Sequence, residues 1–288
     1  MANRAVERLK ARVGTRSAAE VAKYEKELAA ISIPLGEIYS NINKRISSAI
    51  EKAAGEPVQL SWLPTDTARS SIFSPIADRD IEKRLDKIVF SSSWGTLAVY
   101  GPPLNVVDES VFLALLHFVS REKKAVIKVN YRQICKILGL SYQTKNIRRI
   151  KAAIKNLALT SLDFELKDGT WAIERILKSA KGAGDYSTVE IDPWFYSKFL
   201  VNEITMIDLK FRQSLKGYVA KCLYRFLSSH RGPQSYRTET LIMALNLNPT
   251  QELKYHTRGL KGAFSQLKNK KFLTYRFKDG VFSDIRIL

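Results

Sequence analysis

Apolar positions recur every three or four residues over Val111, Leu115, Leu116, Phe118 and Val119, and again over Ile147, Ile150, Ile154 and Leu157. The same period runs through Tyr218–Phe226 and through Leu253, Leu260, Phe264 and Leu267. That spacing gathers them on one side of a helix, so each segment predicts an amphipathic helix with a polar outer face. Shorter runs read as strands: Val126-Ile127-Lys128-Val129, a run ending Phe164-Glu165-Leu166, Trp171-Ala172-Ile173 and Leu273-Thr274-Tyr275-Arg276-Phe277. Asp168-Gly169 and Asp279-Gly280 follow two of those runs and are dipeptides suited to tight hairpin turns.

Set in order, these elements repeat. A helix, a short strand, the short helix Ile134-Cys135…Leu138-Gly139-Leu140, a basic helix from about Thr144 to Leu157 and a hairpin come first. About 107 residues later come the helix Tyr218–Phe226, Leu241-Ile242…Leu245-Asn246-Leu247, a second basic helix and a second hairpin. With the basic helices aligned 110 apart, Ile150 meets Leu260, Ala153 meets Ala263, Ile154 meets Phe264 and Leu157 meets Leu267. The same register pairs Arg148 with Arg258, Lys151 with Lys261 and Ala152 with Gly262. Helix, strand, helix, turn, helix and hairpin is the winged-helix form of the helix-turn-helix unit. The expected fold class is therefore α+β, with two tandem winged-helix domains over residues 81–192 and 193–288. Residues 1–55 read as a basic helical arm, broken at Pro34 before a second helical stretch, and 56–80 as an extended Pro/Ser/Thr-rich connector.

Charge changes the picture more than size does. The 288 residues carry a formal charge of +19, which predicts attraction to a polyanion, nucleic acid before acidic membrane. About ten of those nineteen excess charges fall in two stretches, 141–158 and 250–271, which are the two basic helices. On the first, Lys145, Arg148, Arg149, Lys155 and Asn156 oppose the apolar face around Ala152; on the second, Gln251, Lys254, Tyr255, Arg258, Lys261 and Ser265 surround Gly262. A small residue amid long basic side chains lets a helix axis approach base edges closely. The bidentate fork of arginine matches guanine, which makes Arg148 and Arg258 the first base-reading candidates. Lys151, Lys155, Lys261 and Lys268 suit phosphates. Lys167 and Lys278 on the hairpins, with Lys178 and Lys181, divide evenly between phosphate contact and plain surface.

Gln59-Leu60-Ser61-Trp62-Leu63 lies between Pro57 and Pro64, which exclude a helix and extend the peptide. It resembles the Gln-Leu-Ser/Asp-Leu-Phe peptide by which bacterial replication proteins hold the ring-shaped DNA sliding clamp. An edge strand that tucks Leu60 and Trp62 into a neighbouring domain explains the same pattern.

Catalytic chemistry has no signature here. The chain lacks a Gly-x-x-x-x-Gly-Lys-Ser/Thr loop, and neither Cys135 nor Cys222 sits at zinc spacing from another ligand. His117, His230 and His256 are far apart, and the first two are expected at helix ends, where a cation is favourable. No run approaches the ~18–20 apolar residues of a membrane span. Two free thiols suit a reducing cytoplasm. A non-enzymatic, cofactor-free binder without metal is the expectation.

Thr188-Val189-Glu190-Ile191-Asp192, followed by Tyr224-Arg225-Phe226-Leu227-Ser228-Ser229-His230-Arg231, resembles the TrfA-type initiator proteins of broad-host-range plasmids from about residue 57 onward. That resemblance implies an initiator of theta-mode plasmid replication in the bacterial cytoplasm. It implies binding to directly repeated origin sites (iterons), recruitment of sliding clamp, replicative helicase and host initiator, and control through a monomer–dimer equilibrium. Independently of it, two nonidentical recognition helices in one chain suit an asymmetric site read across two major grooves roughly one turn (~10 bp) apart. A winged-helix transcriptional repressor is the alternative.

Overall fold

The computed structural model describes residues 59–76, 89–91, 95–122, 124–166, 169, 171–195, 204–248 and 250–288. The expected helical arm over residues 1–55, Pro57 and Lys167 fall outside the described residues. Elements are numbered in chain order. Strand β1 (Leu60–Pro64) runs into the short helix α1 (Thr65–Arg69), then β2 (Phe73–Ser74), β3 (Val89–Ser91), β4 (Gly95–Tyr100) and β5 (Leu104–Asn105). Helix α2 (Val106–Glu122) follows, then β6 (Val126–Asn130), α3 (Tyr131–Ile137) and α4 (Thr144–Leu159). Four strands come next: β7 (Ser161–Leu166), β8 (Trp171–Arg175), β9 (Leu177–Ala183) and β10 (Tyr186–Ile191). The second half holds β11 (Ile204–Asp208), α5 (Leu209–Ser214), α6 (Tyr218–Ser228), β12 (Gln234–Arg237) and α7 (Thr238–Ala244). It closes with α8 (Leu253–Asn269), β13 (Leu273–Lys278) and β14 (Val281–Ile287).

The repeat is explicit in the sheets. In the first half the strand order is β6-β10-β9, and in the second β12-β14-β13. Each sheet therefore joins the strand before the second helix to the far strand of a terminal hairpin, the closed winged-helix arrangement. The Leu-x-Leu segments also superimpose in conformation, because both central residues are left-handed, Gly139 at φ 64° and Asn246 at φ 51°. Each ends its helix with the same backbone bond across five residues: Leu140 N–H donates to Cys135 O at 2.8 Å, and Leu247 N–H to Ile242 O at 2.9 Å. A left-handed residue there satisfies carbonyls that the helix end would leave open.

One expected equivalence is corrected. The hairpin around Asp168-Gly169 is not the wing of the first unit. Its strands β7 and β8 belong to a separate four-stranded sheet ordered β3-β4-β7-β8. The first wing is β9–β10, turning at Gly184-Asp185 with Gly184 at φ 56°. Asp279-Gly280 does turn the second wing, with both residues at positive φ (48° and 76°), as a type I′ hairpin requires. The first unit thus carries a two-strand insertion between its third helix and its wing.

The stretch beyond Gln59 is not a free connector. β1 pairs antiparallel with β11, from Leu60↔Asp208 to Pro64↔Ile204. β2 pairs in parallel with β5. All five residues of β1 are buried, and so are Ile72 and Phe73. A buried core of apolar side chains runs continuously through α2, α4, α6 and α8.

Candidate nucleic-acid interface

Helix α4 buries Ile150, Ala153, Ile154 and Leu157 and leaves Lys145, Arg148, Lys151, Ala152 and Lys155 exposed. Helix α8 buries His256, Leu260, Ala263, Phe264 and Leu267 and exposes Lys254, Tyr255, Arg258, Lys261, Gly262, Ser265 and Lys268. The two outer faces are thus arranged as their periodicity predicts. Two details differ. Leu253, expected inward, is exposed, because the first turn of α8 overhangs the core and His256 takes the inward place. The His256 Nε2 lies 2.8 Å from the Asn248 carbonyl oxygen. Arg149 and Asn156 are half-buried, and the Asn156 amide donates to Asp108 Oδ1 on α2 at 3.3 Å. Asn156 is therefore a brace between helices.

Several of these lysines lie against a ring or an acid. Lys151 Nζ lies 5.1 Å from the Tyr131 ring centroid, and Lys261 Nζ lies 4.0 Å from that of Phe277. These two lysines occupy equivalent positions, and each rests on a ring from the neighbouring part of its own unit. Cation–π contacts of this kind are worth about 0.5–1 kcal/mol at exposed sites. Tyr131 is itself fixed, its hydroxyl lying 2.7 Å from Ser187 Oγ and donating to Tyr186 O at 3.0 Å, both on the first wing. Lys268 Nζ lies 5.9 Å from the Tyr275 ring, and Ser265 Oγ lies 3.3 Å from the Tyr275 hydroxyl. Lys254 is ion-paired with Glu252 at 2.7 Å, both exposed. A Cβ built on Gly262 meets nothing within 4 Å. Packing inside the protein thus gives no reason for glycine there.

The corrected wing brings in residues that hairpin signals missed. On the outer face of β6-β10-β9, Lys128, Thr188 and Lys181 sit side by side across three strands, all exposed. Lys128 Nζ lies 4.9 Å from the Tyr186 ring. Lys178 is neutralised by Glu190 at 2.7 Å, which leaves Lys181 as the open charge of that strand. On the second wing Lys278 is exposed at the turn, and Arg276 stands 3.5 Å from Asp284. Alternation of β6 (exposed Val126 and Lys128, buried Ile127 and Val129) was the available signal for Lys128.

Gln59-Leu60-Ser61-Trp62-Leu63 is extended as expected but does not stand out for a partner. Trp62 and Leu63 are 0% exposed, and the Trp62 indole N–H donates to Ser120 Oγ at 2.9 Å. Ser61 Oγ donates to Leu113 O at 2.8 Å, and the Leu60 oxygen lies 2.8 Å from His117 Nδ1. Gln59 contributes its carbonyl, which accepts from Leu209 N–H at 2.8 Å. Both faces of the strand are covered because it fills a gap between α2 and β11. The pocket for these apolar groups lies within the chain itself.

Other polar groups are structural. His117 lies inside α2, not at its end. His230 follows α6, 2.8 Å from Phe226 O, and burial pushes its pKa down, so it closes the helix as a neutral hydrogen-bonding group. Cys135 and Cys222 are free and buried, and burial raises the Cys222 thiol to about 12. In the Val-Glu-Ile-Asp segment, Val189 and Ile191 are core and Glu190 holds Lys178. Asp192 there accepts from Trp194 N–H at 3.0 Å. Burial lifts Glu174 to about 7, and its hydrogen bond to Asp192 adds to that. Among the described residues no group of three or more His, Cys, Asp or Glu is placed to hold a metal, and no helix is long and apolar enough to cross a membrane.

Residues 89–228 match the sequence profile of a family described as Initiator Replication protein, WH1. No curated protein matches the chain. Among solved structures, selenomethionine derivatives of domains 2 and 3 of RctB align with a TM-score of 0.58 and 13% identity over 78% of this chain and 98% of that one. A second structure of RctB domains 2-3 aligns at 0.53 and 12% identity, covering 76% and 96%. The Pi initiator protein in complex with iteron DNA aligns at 0.47 and 14% identity, covering 62% and 90%. At these identities the likeness to RctB is one of fold.

Proposed function

We propose that the chain is a sequence-specific double-stranded-DNA binder that initiates replication, reading an asymmetric site through α4 and α8. The observation that carries this reading is the pair of basic third helices at one register in two units of identical strand order. The initiator profile, which spans the first unit and the second as far as α6, supports it. Arg148 and Arg258 read bases. Lys151, Lys155, Lys261 and Lys268, joined by Lys128, Lys181 and Lys278 on the wings, bind phosphates. Sites are then direct repeats, because two different readers in one chain have no use for a palindrome.

Opening of adjacent DNA and recruitment of helicase or host initiator belong to the same proposal and rest on the TrfA-type resemblance. A monomer–dimer balance is supported by β8, an edge strand among the described residues that exposes Trp171 and Ile173. Clamp docking through Gln59–Leu63 would require β1 first to leave both α2 and β11. A winged-helix transcriptional regulator is the second reading, because the burial of that peptide removes one feature that set an initiator apart. Footprinting on DNA flanking the chain's own gene tests both. A ladder of same-orientation sites supports the initiator; one palindrome supports the regulator and sinks the proposal.

A further inference from the structure

The two units meet across a buried ionic cluster. Glu109 of α2 is 0% exposed and faces two arginines from the other unit. Arg212 Nη2 of α5 lies 3.2 Å from Glu109 Oε1, and Arg225 Nη1 of α6 lies 3.8 Å from Oε2. Arg212 Nη1 also donates to Ser110 Oγ on α2 at 2.7 Å, and Arg225 Nη2 to Ser70 O at 3.3 Å. Arg212 and Arg225 are as deeply buried as Glu109, at 3% and 0% exposure. The half-buried Lys221 stands nearby, its pKa lowered by burial and then by Arg212. One carboxylate thus answers two guanidiniums in an interior that would accept apolar side chains at less cost. Buried ion clusters of this kind add little stability over apolar residues of the same volume. Direction is what they add. Apolar contacts tolerate sliding and rotation, whereas one carboxylate keeps two guanidiniums from the other unit within ion-pair reach over a much narrower range of placements.

On the DNA-reading function proposed above, we infer that Glu109, Arg212 and Arg225 are positioning residues that set the separation and rotation of α4 relative to α8. They thereby set the spacing between the two halves of the site. One additional base pair moves a half-site by about 3.4 Å along the axis and turns it by about 35°, more than a rigid pair of readers accommodates.

The test uses the full chain and a duplex that it enriches from a randomised pool, together with versions in which one base pair is added or removed between the halves. The unaltered chain is expected to lose about tenfold in affinity at either altered spacing. A Glu109→Leu, Arg212→Met, Arg225→Met variant removes the ionic geometry and keeps an apolar core. It is expected to stay folded, bind the enriched duplex and discriminate spacing less than about threefold. A folded variant that keeps the tenfold preference overturns the inference. A DNA-free measurement covers failure to fold. Spin labels at Gln133→Cys and Glu239→Cys, both exposed positions, report the distance between units. Glu109→Asp is expected to broaden that distance distribution, and an unchanged distribution overturns the inference. A pool that enriches nothing overturns the DNA-reading premise and the spacing role with it, while the label distance still reports whether the cluster orients the units.

Discussion

The two winged-helix units share a third helix and wing of one design and differ in what surrounds them. Each has the same strand order, the same left-handed helix end, and an equivalent lysine resting on a ring. Only the first has the β7–β8 insertion and the Glu174–Asp192 carboxyl pair that links β8 to the end of β10. Only the second places glycines, Gly259 and Gly262, on its third helix. The features common to both units are thus those that fix the third helix against its wing. The differences lie in the scaffold of the first unit and on the exposed face of the third helix in the second.

The largest expected effect breaks the joint between the units. Leu60→Ala with Trp62→Ala removes two buried side chains and the indole bond to Ser120. Trp→Ala in a core typically costs about 3–5 kcal/mol, so thermal unfolding should show a large drop in Tm. An unchanged Tm would return these residues to the role of free docking groups.

Next in size, Arg148→Ala and Arg258→Ala should each cost about 1–3 kcal/mol on the enriched duplex and relax selectivity in different halves of it. Equal loss at the same positions would mean that the units do not read separate half-sites. Lys151→Ala and Lys261→Ala should weaken specific and random DNA alike and lower the salt slope by about one, as titrations at several salt concentrations would show.

A smaller effect belongs to the first unit alone. Glu174 has its carboxyl raised from 4.5 to about 7 by burial and by Asp192, which is raised too, chiefly by burial. The folded state then holds this proton more tightly than the unfolded chain. Stability falls as pH rises from about 4.5 to about 7 and is level above that. Glu174→Gln should remove that share of the slope in urea titrations across the range, and an unaltered slope would rule the pair out as its source.

The smallest effect concerns the second unit. Gly262→Ala should raise stability by about 0.5–1 kcal/mol, since a Cβ there meets nothing in the protein. If the helix axis closely approaches base edges, affinity for the enriched duplex falls at the same time. Unchanged affinity would mean that the glycine leaves room for nothing.

Helix periodicity made both third helices and their outer faces legible, because a half-buried helix writes its inner side at a fixed interval. The first wing was not legible for the opposite reason. β9 is Leu177-Lys178-Ser179-Ala180-Lys181-Gly182-Ala183, whose inner positions are mostly small, so its alternation is faint beside the strong Asp168-Gly169 signal of the insertion. The β1 peptide failed differently. Its residues specify an extended chain with large apolar groups, but nothing in five residues says whether the receiving pocket lies on another protein or on α2 and β11 further along the same one. The segments that suggested a family, Thr188–Asp192 and Tyr224–Arg231, lie outside the two third helices. They build a wing strand and close a helix, with Arg69 donating to Ser229 O at 2.8 Å.

The pairing of Leu60 with Asp208 also has a temporal side. A chain emerging from a ribosome at about 5–20 residues per second presents Leu60 roughly 7–30 s before Asp208 exists. Through that interval α2 can receive Trp62 against Ser120, but the other edge of β1 has no strand to join. The first unit is born with a half-finished seam of leucine and tryptophan, and only synthesis of the second unit closes it.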